Sequence, residues 1–251
     1  MSIPDDNFIN IDKAERNLPI YRVVPARRFV EMLVAKELVL TRPDLWDDPF
    51  ENVLLRARLE LKDGTPVGLG GVMGAFYGQC WSLHEETDAM WRIYTPAKDG
   101  VVLRTTIAKL MDAVYDFTNP NADRQFFIGR VLYEEEKELM AVFSDMSTDQ
   151  CLAMVTDRTF HCQAITLLVK RKAFEHEREV RLLYRSPKAT DERTKVFSVD
   201  PNSLVDCVVF DPRMCDTEYH AWRRQLDRSG YNGQIRKSSL YSLPDLHLRP
   251  K

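Results

Sequence analysis

The sequence predicts an α+β fold, a single compact domain in which helices pack around a mixed, mostly antiparallel sheet. Short runs rich in β-branched and aromatic residues alternate along the chain with amphipathic segments of helical period. No repeat, low-complexity segment or linker interrupts this order. With 251 residues, of which 44% are hydrophobic, the chain can bury a sizeable core. We expect a polar N-terminal lead-in over residues 1–19 and one domain over residues 20–251.

The first part of the chain predicts a strand, a helix and a second strand. Residues 20–24 have the composition of a strand, and Pro25 suits the first turn of a helix. Phe29 and Leu33 lie one helical turn apart, which predicts a helix over residues 26–36. The pattern continues with a strand over 37–41, a proline-bracketed loop over 43–49, a strand over 75–82, a helix over 86–94, a strand over 100–105, a helix over 107–117 and a strand over 126–133.

The second part of the chain continues to alternate between helices and strands. Residues 64–74 hold five of the ten glycines but lack P-loop spacing, so they predict a flexible loop or lid. The acidic run from Glu134 to Glu138 indicates the solvated exit of the preceding strand. Further predictions are one or two helices within 147–174, strands over 180–184, 194–199, 205–210 and 234–237, and a helix over 216–228 that Gly230 ends.

Composition excludes several classes of protein. The 35 basic and 38 acidic residues give a net charge of −3, which argues against a surface built throughout to bind nucleic acid or anionic lipid. No run approaches the ~18 apolar residues that a membrane span needs, and we expect a cytoplasmic protein. The five cysteines are odd in number and show no C-x-x-C pair, so we expect no disulfide framework, no metal site and mostly buried thiols.

Two polar and aromatic clusters, far apart in the sequence, are candidates for the walls of one site. The first runs from Gln79 to Ser82, with Met90-Trp91 behind it, and the second runs from Glu177 to Arg181. Alternation along a strand places Cys80 and Ser82 on one face. Ser82 is a candidate for positioning a ligand, whereas Cys80 lacks a protease signature and is predicted to be a buried thiol.

Glu177, Glu179 and Arg181 are spaced two apart and would share one face of a strand. Two carboxylates this close repel each other, which raises the pKa of one of them unless a cation or substrate compensates. Such a pair could orient a ribose hydroxyl and stabilise developing positive charge. The alternative is an exposed strand face on which Arg181 neutralises a glutamate.

Arg22 on the first predicted strand offers a forked donor that suits a phosphate or carboxylate. The alternative interpretation is that Arg22 is a solvated residue at the edge of the sheet or a partner in a salt bridge. Tyr21, Trp81, Trp91 and Tyr94 could form an aromatic clamp around a ligand or simply fill the core.

The C-terminal stretch over residues 220–251 is basic. Its seven basic and two acidic residues give a local charge near +5. Such a segment could attract nucleic acid or an acidic protein, or could be a solvated helix face. The residues are Arg223, Arg224, Arg228, Arg236, Lys237, Arg249 and Lys251 against Asp227 and Asp245.

A specific combination of short segments covers most of the chain: Tyr21-Arg22-Val23-Val24, Asp48-Pro49-Phe50-Glu51, Cys80-Trp81-Ser82, Met90-Trp91 with Tyr94, Gly100-Val101-Val102-Leu103, and Lys170-Arg171 followed by Phe174, Glu177, Glu179 and Arg181. By these segments the sequence resembles a widespread bacterial family of unknown function. That family supplies no activity that could be carried over to this chain.

More distantly, the sequence resembles ADP-ribosyltransferases, with an arginine on an early strand, a serine-bearing strand and a late E-x-E. The resemblance implies that Arg22 anchors a phosphate or ribose of NAD and that Ser82 shapes the nicotinamide pocket. It also implies that Glu179 stabilises the oxocarbenium-like state while Glu177 orients the acceptor. Cys80-Trp81-Ser82 stands where that family has serine, threonine and serine. The implied NAD contacts are Tyr21, Arg22, Trp81, Ser82, Trp91, Tyr94 and Arg181.

Two functions of different classes follow from these patterns. The first is an NAD-consuming ADP-ribosyltransferase or glycohydrolase, with a nucleic-acid or protein acceptor and a role as a bacterial toxin or phage-defence effector. The second is a non-enzymatic sensor of nucleic acid or protein, in which Trp46, Trp81 and Trp91 form a recognition pocket. A nuclease is less favoured because no cluster of the D-x-n-E-x-K type occurs.

Overall fold

A mostly antiparallel sheet of ten strands forms the centre of the part of the chain that the structure describes. The structure is a computed structural model, and it describes residues 2–46, 48–52, 58–60, 66–68, 76–144, 157–188 and 190–244. Helices pack around the sheet, so the α+β fold predicted from the sequence is confirmed.

The strands follow one another along the chain as β1 (Phe8–Ile9), β2 (Pro19–Pro25), β3 (Glu37–Thr41), β4 (Arg58–Glu60), β5 (Pro66–Gly68), β6 (Phe76–Ser82), β7 (Gly100–Thr106), β8 (Phe126–Arg130), β9 (Leu132–Glu134), β10 (Val169–Arg171), β11 (Glu179–Arg185), β12 (Thr194–Ser198), β13 (Cys207–Phe210) and β14 (Gln234–Lys237). The helices are α1 (Ala26–Ala35), α2 (Asp88–Tyr94), α3 (Ile107–Asp112), α4 (Glu136–Ser144), α5 (His161–Thr166), α6 (Pro201–Leu204) and α7 (Asp216–Arg228). Short 3₁₀ helices lie at Asp5–Asn7, Lys13–Glu15, Pro43–Leu45, Pro49–Asn52, Ala122–Arg124 and Lys172–Glu177.

The main sheet has the order β1-β8-β11-β6-β2-β7-β13-β14, and β3 and β12 extend from β6 as a branch. The pairs at the two ends, β1 with β8 and β13 with β14, are parallel. The pairs between them are antiparallel. Two small sheets, β4 with β5 and β9 with β10, lie apart from this path.

The sheet forks at β6, and this fork positions the candidate site. At one end of β6, Ser82 pairs with Tyr21 of β2, and at the other end Gly78 pairs with Thr41 of β3. Between these two pairs, β2 and β3 diverge from the same edge of β6. The Gln79 side chain crosses part of the gap, since its Nε2 donates to the Val39 carbonyl at 2.9 Å. The fork therefore opens a space against the edge of a buried strand.

Local sequence signals explain the elements around the fork. Phe29 and Leu33 are buried on one face of α1, and Lys36 ends that helix in the left-handed conformation, with φ of 55°. Thr87 caps α2 by accepting from the Met90 N–H, and Thr106 caps α3 in the same way. These caps fix where each helix leaves its neighbouring strand.

Most predicted elements are present, and the differences have local causes. The strand predicted over 126–133 is divided at Val131 into β8 and β9, which belong to different sheets. Within residues 147–174, the described part forms only the short helix α5 before β10, and residues 147–156 lie outside the described residues. The acidic run starts α4, because carboxylates at a helix N-terminus interact favourably with its dipole.

Residues 1–19 contribute to the core in the described structure. Strand β1 pairs with β8, and Ile3, Phe8, Ile9 and Ile11 are buried. The division of the chain at residue 20 stays a prediction. The predicted glycine-rich loop over 64–74 lies mostly outside the described residues, which include β5.

The cysteines are less buried than the sequence led us to expect. Of the four described, only Cys207 is buried, Cys80 is partly exposed, and Cys162 and Cys215 are exposed. The prediction of mostly buried thiols is therefore wrong for the described cysteines. None of the described helices is long and apolar enough to span a bilayer.

Candidate functional site

A cavity of about 220 Å³ occupies the fork of the sheet. It is bounded by β2, β3 and β6, by helix α2, and by the segment that leads into β11. Seven of the nine residues that the sequence proposed as catalytic or NAD-binding line it: Tyr21, Arg22, Trp81, Ser82, Tyr94, Glu177 and Glu179. The two clusters that are far apart in the sequence meet here because Glu179 of β11 pairs with Ser82 of β6.

The remaining two candidates do not line the cavity. Trp91 is fully buried, and its Nε1 donates to Glu86 at 2.9 Å, so it packs α2 against the sheet. Arg181 is also fully buried, in the layer behind the cavity. Trp46 does line the cavity, and its ring lies 4.6 Å from the Arg181 guanidinium.

Arg22 presents a partly buried guanidinium to the cavity without a partner. It makes no hydrogen bond or ion pair with any residue that the structure describes. Burial lowers the pKa of Arg22, while Cys80 and Tyr94 oppose this shift. Because an arginine stays protonated in proteins, this group is a ready donor for an anion.

Glu177 and Glu179 reach the cavity from the two sides of a tight turn. The 3₁₀ helix Lys172–Glu177 ends at Glu177, and Arg178 takes the left-handed conformation with φ of 42°. Strand β11 begins only at Glu179. The prediction that both glutamates lie in one strand is therefore wrong, and the turn at Arg178 brings them together instead.

One lysine links the two glutamates. Lys170 Nζ lies 2.6 Å from Glu177 Oε2 and 2.5 Å from Glu179 Oε1. It also lies 2.9 Å from Oε1 of Glu51, which comes from the 3₁₀ helix Pro49–Asn52. Arg181 completes the group, with Nη2 at 2.8 Å from Glu51 and Nε at 2.7 Å from Glu179. We call these five residues the buried ion cluster.

Burial and charge give the two glutamates opposite pKa shifts. Burial, together with the hydrogen bond and charge of Glu179, raises the pKa of Glu177 to about 7, although Lys170 opposes the shift. Burial disfavours the ionised form of Glu179 too, but Arg181, Glu177 and Lys170 outweigh it and lower the pKa of this carboxyl. Glu179 is thus the group that stays ionised, and Glu177 changes protonation near neutral pH.

Hydrogen bonds fix the surroundings of both glutamates. The Ser82 hydroxyl donates to the Glu177 carbonyl at 2.7 Å and accepts from the His84 N–H at 3.0 Å, so it locks the turn onto β6. Tyr94 Oη donates to Glu177 Oε1 at 3.2 Å. The Glu179 N–H donates to Tyr133 Oη at 2.8 Å.

Three residues of this site were missed by the sequence analysis as functional candidates: Glu51, Lys170 and Tyr133. Glu51 and Lys170 lie in the segments that carry the family resemblance, which was the available signal. Two ion pairs join these segments in the structure. Lys170 contacts Glu51, and Arg171 Nη2 lies 2.8 Å from Asp48 Oδ1. Nothing in the sequence around Tyr133 indicated that it contacts Glu179.

Other candidate chemistries have little support at this site. Although Cys80 is partly exposed, desolvation of its thiol and the charge of Glu179 raise the pKa of this group, which disfavours the thiolate that a nucleophile needs. Among the described residues, no group of three His, Cys, Asp or Glu side chains could hold a metal ion.

The basic C-terminal stretch is partly neutralised. Arg236 forms an ion pair with Glu85, and Lys237 pairs with Asp216 at 2.7 Å. Helix α7 leaves three arginines exposed, and residues 245–251 lie outside the described residues. The exposed arginines are Arg223, Arg224 and Arg228.

Gly78 allows Trp46 to approach the sheet closely, which gives a testable prediction. A Cβ at this position would lie 2.7 Å from Trp46 Cζ2 and 3.1 Å from Leu183 Cδ2. The rings and side chains there must move, so we expect Gly78→Ala to lower the free energy of unfolding by about 1–3 kcal/mol. Urea denaturation measures the loss, and an unchanged midpoint would contradict the close packing of Trp46.

One family model matches part of the chain. The model of the family described as "Protein of unknown function (DUF2971)" matches residues 90–182, which confirms the resemblance to a family of unknown function. No curated protein matches the chain.

Structural neighbours are found among solved structures of Thermus sp. 2.9 DarT. The complex with carba-NAD+ is 11% identical, with 88% of this chain and 96% of that chain covered and a TM-score of 0.38. The complex with ADP-ribosylated ssDNA is 9% identical, with 91% and 96% covered and a TM-score of 0.40. The complex with NAD+ is 11% identical, with 91% and 98% covered and a TM-score of 0.39.

Proposed function

We propose that this chain binds NAD in the fork of the sheet and breaks the bond between nicotinamide and ribose. The observation that supports the proposal is that two charged groups line one cavity: the guanidinium of Arg22, which has no partner among the described residues, and the ionised carboxylate of Glu179. NAD carries a pyrophosphate that a guanidinium can bind and a ribosyl carbon that becomes cationic when the bond breaks. The charges of Arg22 and Glu179 match these two parts of one ligand.

The proposed reaction breaks one bond of NAD and forms one new bond at the same ribose carbon. The bond between ribose C1′ and the nicotinamide nitrogen breaks, and its electron pair stays on nicotinamide, which becomes neutral. The ribosyl carbon becomes oxocarbenium-like and is stabilised by the negative charge of Glu179, which is already in place. Water or an acceptor then forms the new bond to C1′ and loses a proton, for which Glu177 is the candidate base because its pKa is about 7.

The size of the cavity indicates which part of NAD would enter it. Ligand pockets commonly have volumes of roughly 300–1,000 Å³, and this one has about 220 Å³. The nicotinamide and its ribose would fill the space, between Tyr21, Trp81 and Tyr94. The adenosine half would lie outside the cavity. A nucleic-acid or protein acceptor, and a role as a bacterial toxin or phage-defence effector, stay predictions from the sequence.

The test is to incubate the purified chain with NAD, alone and with cell extract, and to measure nicotinamide by chromatography. We expect release in at least one of the two conditions. Binding of ADP-ribose is measured in parallel by calorimetry. ADP-ribose binding without nicotinamide release would mean that the chain binds this ligand without breaking the bond to nicotinamide, and the catalytic part of the proposal would be wrong. No nicotinamide release, together with tight nucleic-acid binding that weakens steeply with salt, would support the non-enzymatic sensor instead. If neither binding nor release occurs, the proposal is wrong.

Arg22→Met tests the anion-binding role. A hydrogen bond to a charged group contributes about 1.5–3 kcal/mol, so we expect ADP-ribose affinity to fall by about 10- to 100-fold. Arg27 of α1 is exposed and does not line the cavity, so Arg27→Met is the matched control and should bind normally. Equal affinities for the two variants would show that Arg22 does not contact the ligand.

A further inference from the structure

Lys170 occupies an unusual position behind the cavity. Its side chain is only 7% exposed and does not line the cavity. Its ammonium lies within 3 Å of three carboxylates, at 2.9 Å from Glu51, 2.6 Å from Glu177 and 2.5 Å from Glu179. The ammonium donates hydrogen bonds to Glu177 and Glu179 and forms an ion pair with Glu51. Lys170 is therefore held in place by three carboxylates and is not a free donor for a ligand.

The three carboxylates come from three separate parts of the chain. Glu51 belongs to the 3₁₀ helix Pro49–Asn52, Glu177 ends another 3₁₀ helix, and Glu179 begins β11. Only the two from the turn at Arg178 reach the cavity. Arg181 contacts Glu51 and Glu179 but forms no ion pair with Glu177. Within the buried ion cluster, Lys170 is thus the cation that bridges the two cavity glutamates.

We infer that Lys170 is a positioning residue, which holds Glu177 and Glu179 at fixed places on the cavity wall and compensates the negative charge that they bring together. This inference rests on the proposed function for its catalytic consequence, but its structural part does not. Without the ammonium, the repulsion between the two carboxylates would no longer be compensated, and the proton of their hydrogen bond would be shared more fully between them. Glu179 would then lose part of the negative charge that the reaction needs.

The titration of Glu177 depends on groups from each element packed around it. Lys170 lies on β10, Tyr94 on α2, Glu179 on β11 and Tyr133 on β9. Lys170 is the cation in direct contact with the carboxyl, so its removal leaves acidic and phenolic neighbours. We therefore expect Lys170→Met to raise the pH at which Glu177 titrates.

The decisive experiment compares Lys170→Met with the double variant Lys170→Met/Glu51→Gln. The cluster has three carboxylates and two cations, and Lys170→Met leaves three carboxylates and one cation. Adding Glu51→Gln leaves two carboxylates and one cation. The double variant therefore has the original difference of one charge but still lacks the ammonium that bridges Glu177 and Glu179. We expect nicotinamide release to fall about 100-fold in both variants, with ADP-ribose binding retained. Lys172 is exposed, and Lys172→Met is the control that should keep full activity.

A second readout does not require turnover. The chain is labelled with ¹³C at the glutamate carboxyls, and the Glu177 signal is assigned by its absence from Glu177→Gln and titrated by NMR. A higher midpoint in Lys170→Met, and in the double variant, supports the inference. An unchanged midpoint, or wild-type turnover in the double variant, overturns it. If the wild-type chain releases no nicotinamide, the proposed function fails while the NMR titration still decides the role of Lys170.

Discussion

Replacing Glu179 with glutamine is expected to reduce the rate of nicotinamide release by about 10²–10³-fold, which is the usual effect of removing one preorganised electrostatic group. Glutamine keeps the shape of the side chain but removes the charge that would stabilise the oxocarbenium-like ribose. The measured quantity is kcat at saturating NAD. ADP-ribose affinity should change little, because the proposed anion donor, Arg22, lies on another strand, β2, and keeps its charge.

Glu175→Gln is the matched control for this variant. Glu175 is exposed on the 3₁₀ helix that ends at Glu177, and it does not line the cavity. It should keep the kcat of the wild-type chain. A kcat that stays unchanged in Glu179→Gln, with both variants folded by circular dichroism, would mean that Glu179 serves only the ion pairs with Lys170 and Arg181.

The sequence predicted those helices and strands whose bounds are set by neighbouring residues. The β2-α1-β3 unit follows from a β-branched run, a proline at a helix start and an apolar stripe. Helix α7 and strand β14 were predicted with the observed bounds, because a glycine after the helix separates them. The break at Val131 was missed because an apolar run shows the content of a strand but not the sheet to which each half belongs.

The candidate site was predicted only in part, for the same reason. Spacing alone placed Glu177 in a strand, although a left-handed residue follows it. The contact of Lys170 with Glu51 joins residues that are distant along the chain, and no periodicity reports such a contact. The sequence gives no reason to treat Trp91 and Trp81 differently, since each is a tryptophan in a polar and aromatic cluster. In the structure Trp81 lines the cavity, whereas Trp91 is buried where α2 packs against the sheet.

The buried ion cluster and the fork depend on each other. Buried ion pairs contribute little net stability, since desolvation offsets most of their attraction. Their consequence here is geometric: Glu51 ties the Pro49–Asn52 helix to β10 and β11, directly behind the strand edge that lines the cavity. The cluster thus holds the ionised Glu179 on the wall of the cavity that Arg22 also lines.

Replacing Arg181 with methionine should have the largest effect on stability. Arg181 is fully buried, and its Nη1 also donates to the Leu167 carbonyl at 2.8 Å. Its removal leaves Glu51 and Glu179 with Lys170 as the remaining cation of the cluster. Breaking a buried pair in this way costs about 3–5 kcal/mol, because an uncompensated buried charge remains. We expect a loss of this size in the free energy of unfolding, measured by urea denaturation at pH 7.

Two further variants separate the cause from general disruption. Arg178→Met changes an exposed arginine of the same segment, and surface changes of this kind usually stay within about 0.5 kcal/mol. Arg181→Met/Glu51→Gln removes one of the orphaned charges, so it should be more stable than Arg181→Met alone, since residues in one ion-pair network are coupled. If the double variant is the less stable of the two, packing around the arginine, including the Trp46 ring, rather than charge compensation accounts for the loss.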